Sequence, residues 1–445
     1  MVHKTANLTS FLVLYDVMNK KPKKIAILLY LLLCNVALSA QNKYIFENYT
    51  SDRGLSQNSC FSIAQDSDGM MWFGTQDGLN RYDGKEFRLF LPNNEAGQAL
   101  PSNYISSLYF DKKNKYLWVG TIQGTCVYDV YKDSLLGITK KFSSATVLAK
   151  ADIKKIVPGN KNELWFVTYS HGLHLLNTET NKTTRFFVDS INRKKVSSIV
   201  LYNGQMIAAV QNKLLALNKE TGQFNDLKIT IDFSEIRELF VYKNKLWAGT
   251  VAMGCFIIEN PLSAGYNVKN ILSTYGGIGN FTIDESGNLW IGTRGSGVLI
   301  LDSSLKLISL LNNDPLDLQT IGKNFVLSLF TDRQGLVWTG LSGGGVAKYD
   351  PGNCKFQNIS SKKKNDYSLP DNMVFTLHQS ANGLIYAGTQ NKGLALWNPA
   401  GNRFISIKES FRHRNIINTI YSITEDKANN LWIASWGGLI KLNTR

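Results

Sequence analysis

The chain has 445 residues, is 44% hydrophobic and carries a formal net charge of +15. That is enough apolar material to fill the core of one large domain or two ordinary ones. The basic excess is scattered, and its longest run after residue 40 is Lys362-Lys363-Lys364, beside Asp366 in a predicted loop. Binding of nucleic acid by this region is therefore not expected.

At the N-terminus, Lys20, Lys21, Lys23 and Lys24 precede an apolar run from Ile25, and small residues follow at Ser39-Ala40. A charged segment, an apolar segment and a small-residue cleavage site predict a secretory signal over residues 1–40, with Met18 as an alternative start. A retained anchor is the rival reading, against which the apolar run is short. Leu33 before Cys34 argues against a lipoprotein signal. No later segment approaches 18 apolar residues, so no membrane span is expected after the signal and the exported chain is expected to be soluble. The cysteines that remain, Cys60, Cys126, Cys255 and Cys354, are widely spaced. They read as isolated buried thiols rather than as disulfides or zinc ligands.

From Met71 onward one pattern recurs: Leu-Trp-(apolar)-Gly-Thr. It begins at Met71-Trp72-Phe73-Gly74-Thr75 and ends at Leu431-Trp432-Ile433-Ala434-Ser435. The intervening aromatic positions are Trp118, Trp165, Trp247, Trp290, Trp338 and Tyr386, with a worn copy at Ile207, and the steps are 40 to 48 residues. Such a period marks a β-propeller with one four-stranded blade per repeat. In the first repeat the strands are predicted at Cys60–Gln65, Met70–Thr75, Leu79–Tyr82 and Glu86–Phe90. Asp68-Gly69, Gln76-Asp77-Gly78 and Asp83-Gly84 supply the turns. The second strand is apolar on both faces, which stacked blades explain because they bury both sides of each sheet. Trp72, Trp118, Trp165, Trp247, Trp290, Trp338 and Trp432 are accordingly predicted core residues. Asp66-Ser67-Asp68-Gly69 and Asp332-Arg333-Gln334-Gly335 look like pieces of calcium loops but lack the distal acidic ligand, so they read as hairpin turns and no metal is expected.

Nine repeats exceed the four to eight blades of an ordinary propeller. The expected division is a seven-bladed ring over residues 41–353 and the first two blades of a second, incomplete ring over 354–445, joined near Asn353–Asn365. Strand Tyr44–Tyr49 resembles an outer strand able to complete a blade, though which ring it closes is open. The last repeat stops after a third strand at Gly438–Asn443, so the natural polypeptide is expected to continue beyond Arg445.

Gly54-Leu55-Ser56-Gln57-Asn58, the stretch Asp66 to Thr75, and Gly78-Leu79-Asn80-Arg81-Tyr82-Asp83 resemble the two-component regulator propeller repeat. Leu100-Pro101-Ser102-Asn103 and Leu369-Pro370-Asp371-Asn372 are similar to its opening motif. The resemblance spans residues 44–445, good in repeats one, two, six, seven and eight, partial in three and poor in four. It implies the periplasmic sensor of a hybrid two-component regulator of glycan-using bacteria. A full-length relative would be anchored in the inner membrane, act as a histidine kinase in a phosphorelay, homodimerise, and control polysaccharide-utilisation genes. Departing from that pattern, this chain shows no sandwich, anchor or kinase motif, so it is expected to bind the signal but not transmit it.

An oligosaccharide is the expected ligand. The face carrying the turns between second and third strands suits recognition, because rigid strands hold variable loops there. Candidate ligand-binding residues are Asn58, Gln76, Asp77, Asn103, Gln123, His171, Arg294, Asn372, Gln390 and Trp436. Each Asn has turn capping as an alternative role, and Trp436 has packing against a missing ring. Catalysis would need convergent titratable groups. His171 and His174 lie across a turn and a strand and are expected to point apart, and no catalytic signature is visible, so neither catalytic residues nor a cofactor are predicted. A protein-binding scaffold and, less favoured, a secreted propeller lyase or hydrolase are the alternatives.

Overall fold

The computed structural model describes residues 44–92, 100–187, 196–231, 233–352, 359, 361, 368–398, 403–407 and 418–443. The predicted signal, most of the join at 353–365, and Cys354 lie outside the described residues. The first blade is a four-stranded antiparallel sheet of β2 (Cys60–Gln65), β3 (Met71–Thr75), β4 (Gly78–Tyr82) and β5 (Phe87–Phe90). The same sequential pairing repeats in the sheets that begin at Ile105, Ile153, Val196, Ile236, Ile278 and Val374. The sheet beginning at Val326 has only three of its strands in sequence. Its fourth is β1 (Phe46–Tyr49), paired antiparallel with Val346–Tyr349. A three-stranded sheet, Ile420–Glu425, Asn430–Ser435 and Gly438–Asn443, comes last.

The first strands of the sheets are neighbours in chain order from β2 to Val326–Thr331, and that strand in turn neighbours β2. Chain-distant segments thus meet: the Ser328 hydroxyl donates to the Cys60 carbonyl at 3.0 Å. Serines elsewhere join consecutive inner strands. The Ser62 hydroxyl accepts the Leu108 N–H at 2.8 Å, Ser107 that of Ile156 at 2.9 Å, and Ser198 that of Leu239 at 3.2 Å. The pair of sheets starting at Val374 and Ile420 also stack through their first strands.

Second strands are buried along most of their length, least so in the last sheet; every residue of β3 is buried. Trp72, Trp118, Trp165, Trp247, Trp290 and Trp338 are all buried. Each buried indole removes about 150–250 Å² from water, worth about 4–6 kcal/mol as an upper bound. Trp432 departs from the expectation: it is half-buried. It lies in the last sheet, and among the described residues no sheet follows that one; the Lys441 ammonium lies 5.3 Å from its ring instead.

Where a glycine stands two residues after the Trp, it sets the spacing between blades; Val167 and Ala434 take that place after Trp165 and Trp432. A Cβ on Gly74 would stand 2.6 Å from Ile105 Cγ2, one on Gly120 2.6 Å from Ile153 Cγ2, and one on Gly292 2.6 Å from Val326 Cγ1. The branched residue opening the next inner strand occupies the space that the glycine leaves.

The Asp of each clear hairpin turn is structural. Asp332 accepts the Gln334 and Leu336 backbone N–H groups on one oxygen and the Trp338 indole N–H, at 2.7 Å, on the other. Asp66 serves Trp72, Asp284 serves Trp290 and Asp426 serves Trp432 in the same way, each six residues ahead of its Trp. At that offset before Trp118, Trp165 and Trp247 stand Lys112, Gly159 and Val241, and those indole nitrogens have no partner among the described residues. Asp332→Ala should cost about 1–3 kcal/mol, the range for orphaning buried donors. A urea midpoint unchanged from that of the parent would contradict this role.

Candidate functional site

Every inner strand carries a β-bulge immediately after its first residue, which leaves one residue per blade outside the ladder. Bulges of this kind re-aim a side chain. In the seven sheets that neighbour in a closed series, the bulged residues are Phe61, Ser106, Lys154, Ser197, Arg237, Gly279 and Leu327. All seven line one central channel of about 670 Å³. Tyr104, Tyr169, Glu238 and Arg294 join them.

The channel combines aromatic faces with cations. The Phe61 and Tyr104 rings lie 4.7 Å apart. The Lys154 ammonium is 5.9 Å from the Tyr169 ring, and the Arg294 guanidinium 4.9 Å from that of Phe325. Burial holds the Lys154 ammonium below its ordinary pKa and pushes the Tyr169 phenol up. Burial, reinforced by neighbouring Arg237, brings Arg294 down to about 10, so it remains charged at neutral pH. Glu238 pairs with Lys155 and accepts the Ser198 hydroxyl at 3.2 Å. Such a concave space, with aromatic faces and several convergent polar groups, has the form of a small-ligand site.

The turns bearing most predicted site residues share one device. Thr75 accepts the Asp77 N–H and donates to the Gly78 carbonyl; Thr121 does so for Gln123 and Gly124, and Thr168 for His171 and Gly172. Of the predicted residues, Arg294 lies in the channel. Gln76 and Gln123 are exposed at their turns. Asn103 donates to Asp77 at 3.0 Å. His171 Nδ1 lies 3.1 Å from Asp152 Oδ1, and Ser170 is bound to the same carboxylate. Asn58 accepts the Ser51 N–H at 2.8 Å and Asn372 that of Ser361 at 2.6 Å, so both side chains cap turns. The Gln390 N–H donates to the Met373 carbonyl. Trp436 is 80% exposed. Lys154, Arg237, Phe61 and Tyr104 were not among the predicted residues. The signal for the first three is positional: each follows the residue that packs on the preceding blade.

His174 does not converge with His171. Its ring is fully buried, with Nε2 3.0 Å from the His171 carbonyl. Burial pulls its pKa down to about 4. The unfolded chain takes up this proton below about pH 6.5 and the folded chain only near 4. The contribution of the neutral ring is therefore complete above about 6.5 and fades as pH falls through that window. Stability should drop by up to about 3 kcal/mol between these limits, and His174→Gln should flatten that slope in denaturant titrations run at stepped pH.

Three segments, residues 54–77, 99–123 and 416–437, match the family model described as two component regulator propeller. A histidine kinase, P4 of Formosa agariphila, is 41% identical over 66 residues, which cover 15% of this chain and 5% of that protein. The extracellular domain of the hybrid two component system BT3049 of B. thetaiotaomicron shares the fold with a TM-score of 0.66 at 20% identity, over 90% of this chain and 54% of that one. The corresponding domain of BT4673 gives 0.57 at 20% identity, over 89% and 52%. This chain therefore spans about half the length of these solved domains. At the matched segments it carries the two-component regulator propeller repeat, set in a fold shared with extracellular domains of two-component systems.

Proposed function

We propose that this chain is the extracytoplasmic ligand-sensing region of a hybrid two-component regulator and that its ligand is an oligosaccharide. Residues 41–353 form the sensing propeller in this reading, and 354–445 open a second. In the full-length protein, ligand binding controls a histidine kinase and, through a phosphorelay, polysaccharide-utilisation genes. The region works in the periplasm, and the longer protein is anchored in the inner membrane, with dimerisation a further expectation. The observation that carries this reading is the central channel, where the bulge residues of seven blades, six of them with side chains, line a shared space. Aromatic rings there offer flat faces to sugar rings, while serines, lysines and arginines offer hydrogen bonds to hydroxyls. The repeat match supports a regulatory setting.

The region is read as binding without turnover. A protein-docking scaffold is the second reading. It is favoured by the last two sheets, where Phe375 and Tyr421 stack 5.8 Å apart in the open, with Leu377 and Leu439 also exposed.

Calorimetry against a panel of oligosaccharides, with product chromatography on the same mixtures, tests the proposal. Binding without product is expected. Phe61→Ala and Tyr104→Ala should each weaken it about tenfold, equivalent to about 1.4 kcal/mol. Product formation would replace the sensor with an enzyme; absence of saccharide binding would favour the scaffold.

A further inference from the structure

Two arginines converge in the channel where one blade withholds a side chain. Gly279 occupies the bulge position of its strand. A Cβ there would stand 3.0 Å from Arg237 Cδ and 3.1 Å from Arg294 Nε, so the glycine makes the room that both side chains use. Their Nε groups are buried and without a hydrogen-bond acceptor among the described residues. Lys154, at another bulge of the same channel, lies over a tyrosine ring, with the Glu238 and Glu235 carboxylates close enough to act on its charge. Glu238 is engaged by Lys155 and Ser198.

Adjacent like charges in a partly desolvated space repel, and unmet guanidinium donors add a desolvation cost. Nothing in the folding of the ring requires that arrangement. A guanidinium fork, however, matches the oxygens of a carboxylate or sulfate and binds them through charge-assisted hydrogen bonds. We propose that Arg237 and Arg294, over Gly279, form an anion subsite, and that the saccharide read by this propeller carries carboxylate or sulfate groups; this rests on the saccharide-binding reading above. Lys154 adds charge near Arg237 in the same channel, and the aromatic faces hold the sugar ring beside it.

The test is calorimetry on the full chain with three sets of equal length: galacturonate oligomers, sulfated galactan oligomers and neutral galactan oligomers. One or both acidic sets should bind at least about tenfold tighter than the neutral set and weaken as salt rises. Comparing the two acidic sets tells uronate from sulfate. Arg294→Gln and Arg237→Gln should each lose about tenfold on the acidic set and lose markedly less on the neutral set. Gly279→Ala should weaken the same ligands by crowding the two side chains. Lys85→Gln, at a lysine whose side chain is 86% exposed and outside the channel, should change nothing. Near-UV circular dichroism establishes that each variant is folded, and Arg294→Lys, which keeps the charge, replaces Arg294→Gln if that variant misfolds.

Inorganic sulfate provides an arm without sugar: it should raise the melting temperature of the parent more than that of Arg294→Gln. Neutral oligomers binding as tightly as acidic ones, to parent and variant alike, would overturn the anion subsite and leave the saccharide reading standing. Sulfate protection specific to the parent with no saccharide bound would do the reverse. Acidic sugars bound equally by folded Arg237→Gln and Arg294→Gln would overturn the assignment to these residues.

Discussion

The ring rests on a contact between neighbouring blades: a glycine near the end of one blade's second strand against the residue that opens the next blade's inner strand. Gly74 meets Ile105, Gly120 meets Ile153, Gly249 meets Ile278, Gly292 meets Val326 and Gly388 meets Ile420. Gly340 meets Cys60, joining the last sheet of the closed series to the first. A methyl group at any of these glycines would have to displace atoms already at van der Waals contact or closer, and tightly packed interiors tolerate added volume poorly. The large aromatic ring two residues before each glycine, an indole in all but the Tyr386 blade, fills the remaining space between sheets. Small and large residues thus alternate along one short strand, and that alternation sets how closely blades approach.

The same contact prepares the site. Once the opening residue of an inner strand is seated on the preceding blade, the next residue falls at the bulge and is pushed out of the ladder. It is under no packing demand from the sheet, so its identity is free to vary: Phe61, Ser106, Lys154, Ser197, Arg237, Gly279 and Leu327 share a position and little chemistry. A rigid frame with one variable side chain per blade suits a sensor whose frame is kept while its ligand changes. The unevenness of this set matters. Its cations fall on blades whose neighbours contribute glycine and serine, so positive charge gathers in one part of the channel instead of spreading around it.

The Asp–Trp pairing has a different logic. One carboxylate caps a hairpin through two backbone N–H groups and also satisfies the indole that fills the space between blades. Turn and core are therefore coupled by a single side chain in the clear repeats. In the blades of Trp118, Trp165 and Trp247 the Asp is absent from that position and the indole nitrogen is left without a partner, although the tryptophan is equally buried. Burial of the ring, not its hydrogen bond, is the common requirement. That explains why the Leu-Trp-(apolar) pattern survives where the turn chemistry has drifted.

Sequence alone determined the repeat, the four-stranded unit, the turn residues and the burial of most tryptophans, because these follow from local periodicity and from turn conformations that particular residues demand. It also marked Arg294, which sits in a turn whose position in the repeat is legible. Tertiary structure decided that Phe46–Tyr49 pairs with Val346–Tyr349, since backbone pairing between chain-distant strands leaves no local signature. It decided that Asn58 and Asn372 spend their amides on neighbouring turns. Above all it decided the composition of the channel: Lys154, Arg237 and Gly279 are ordinary residues in sequence, and only closure of the strands around an axis brings their bulges to one space. A bulge shifts one residue out of register without altering the apolar pattern on either side, so the pattern that reveals the fold conceals the residues that face the channel.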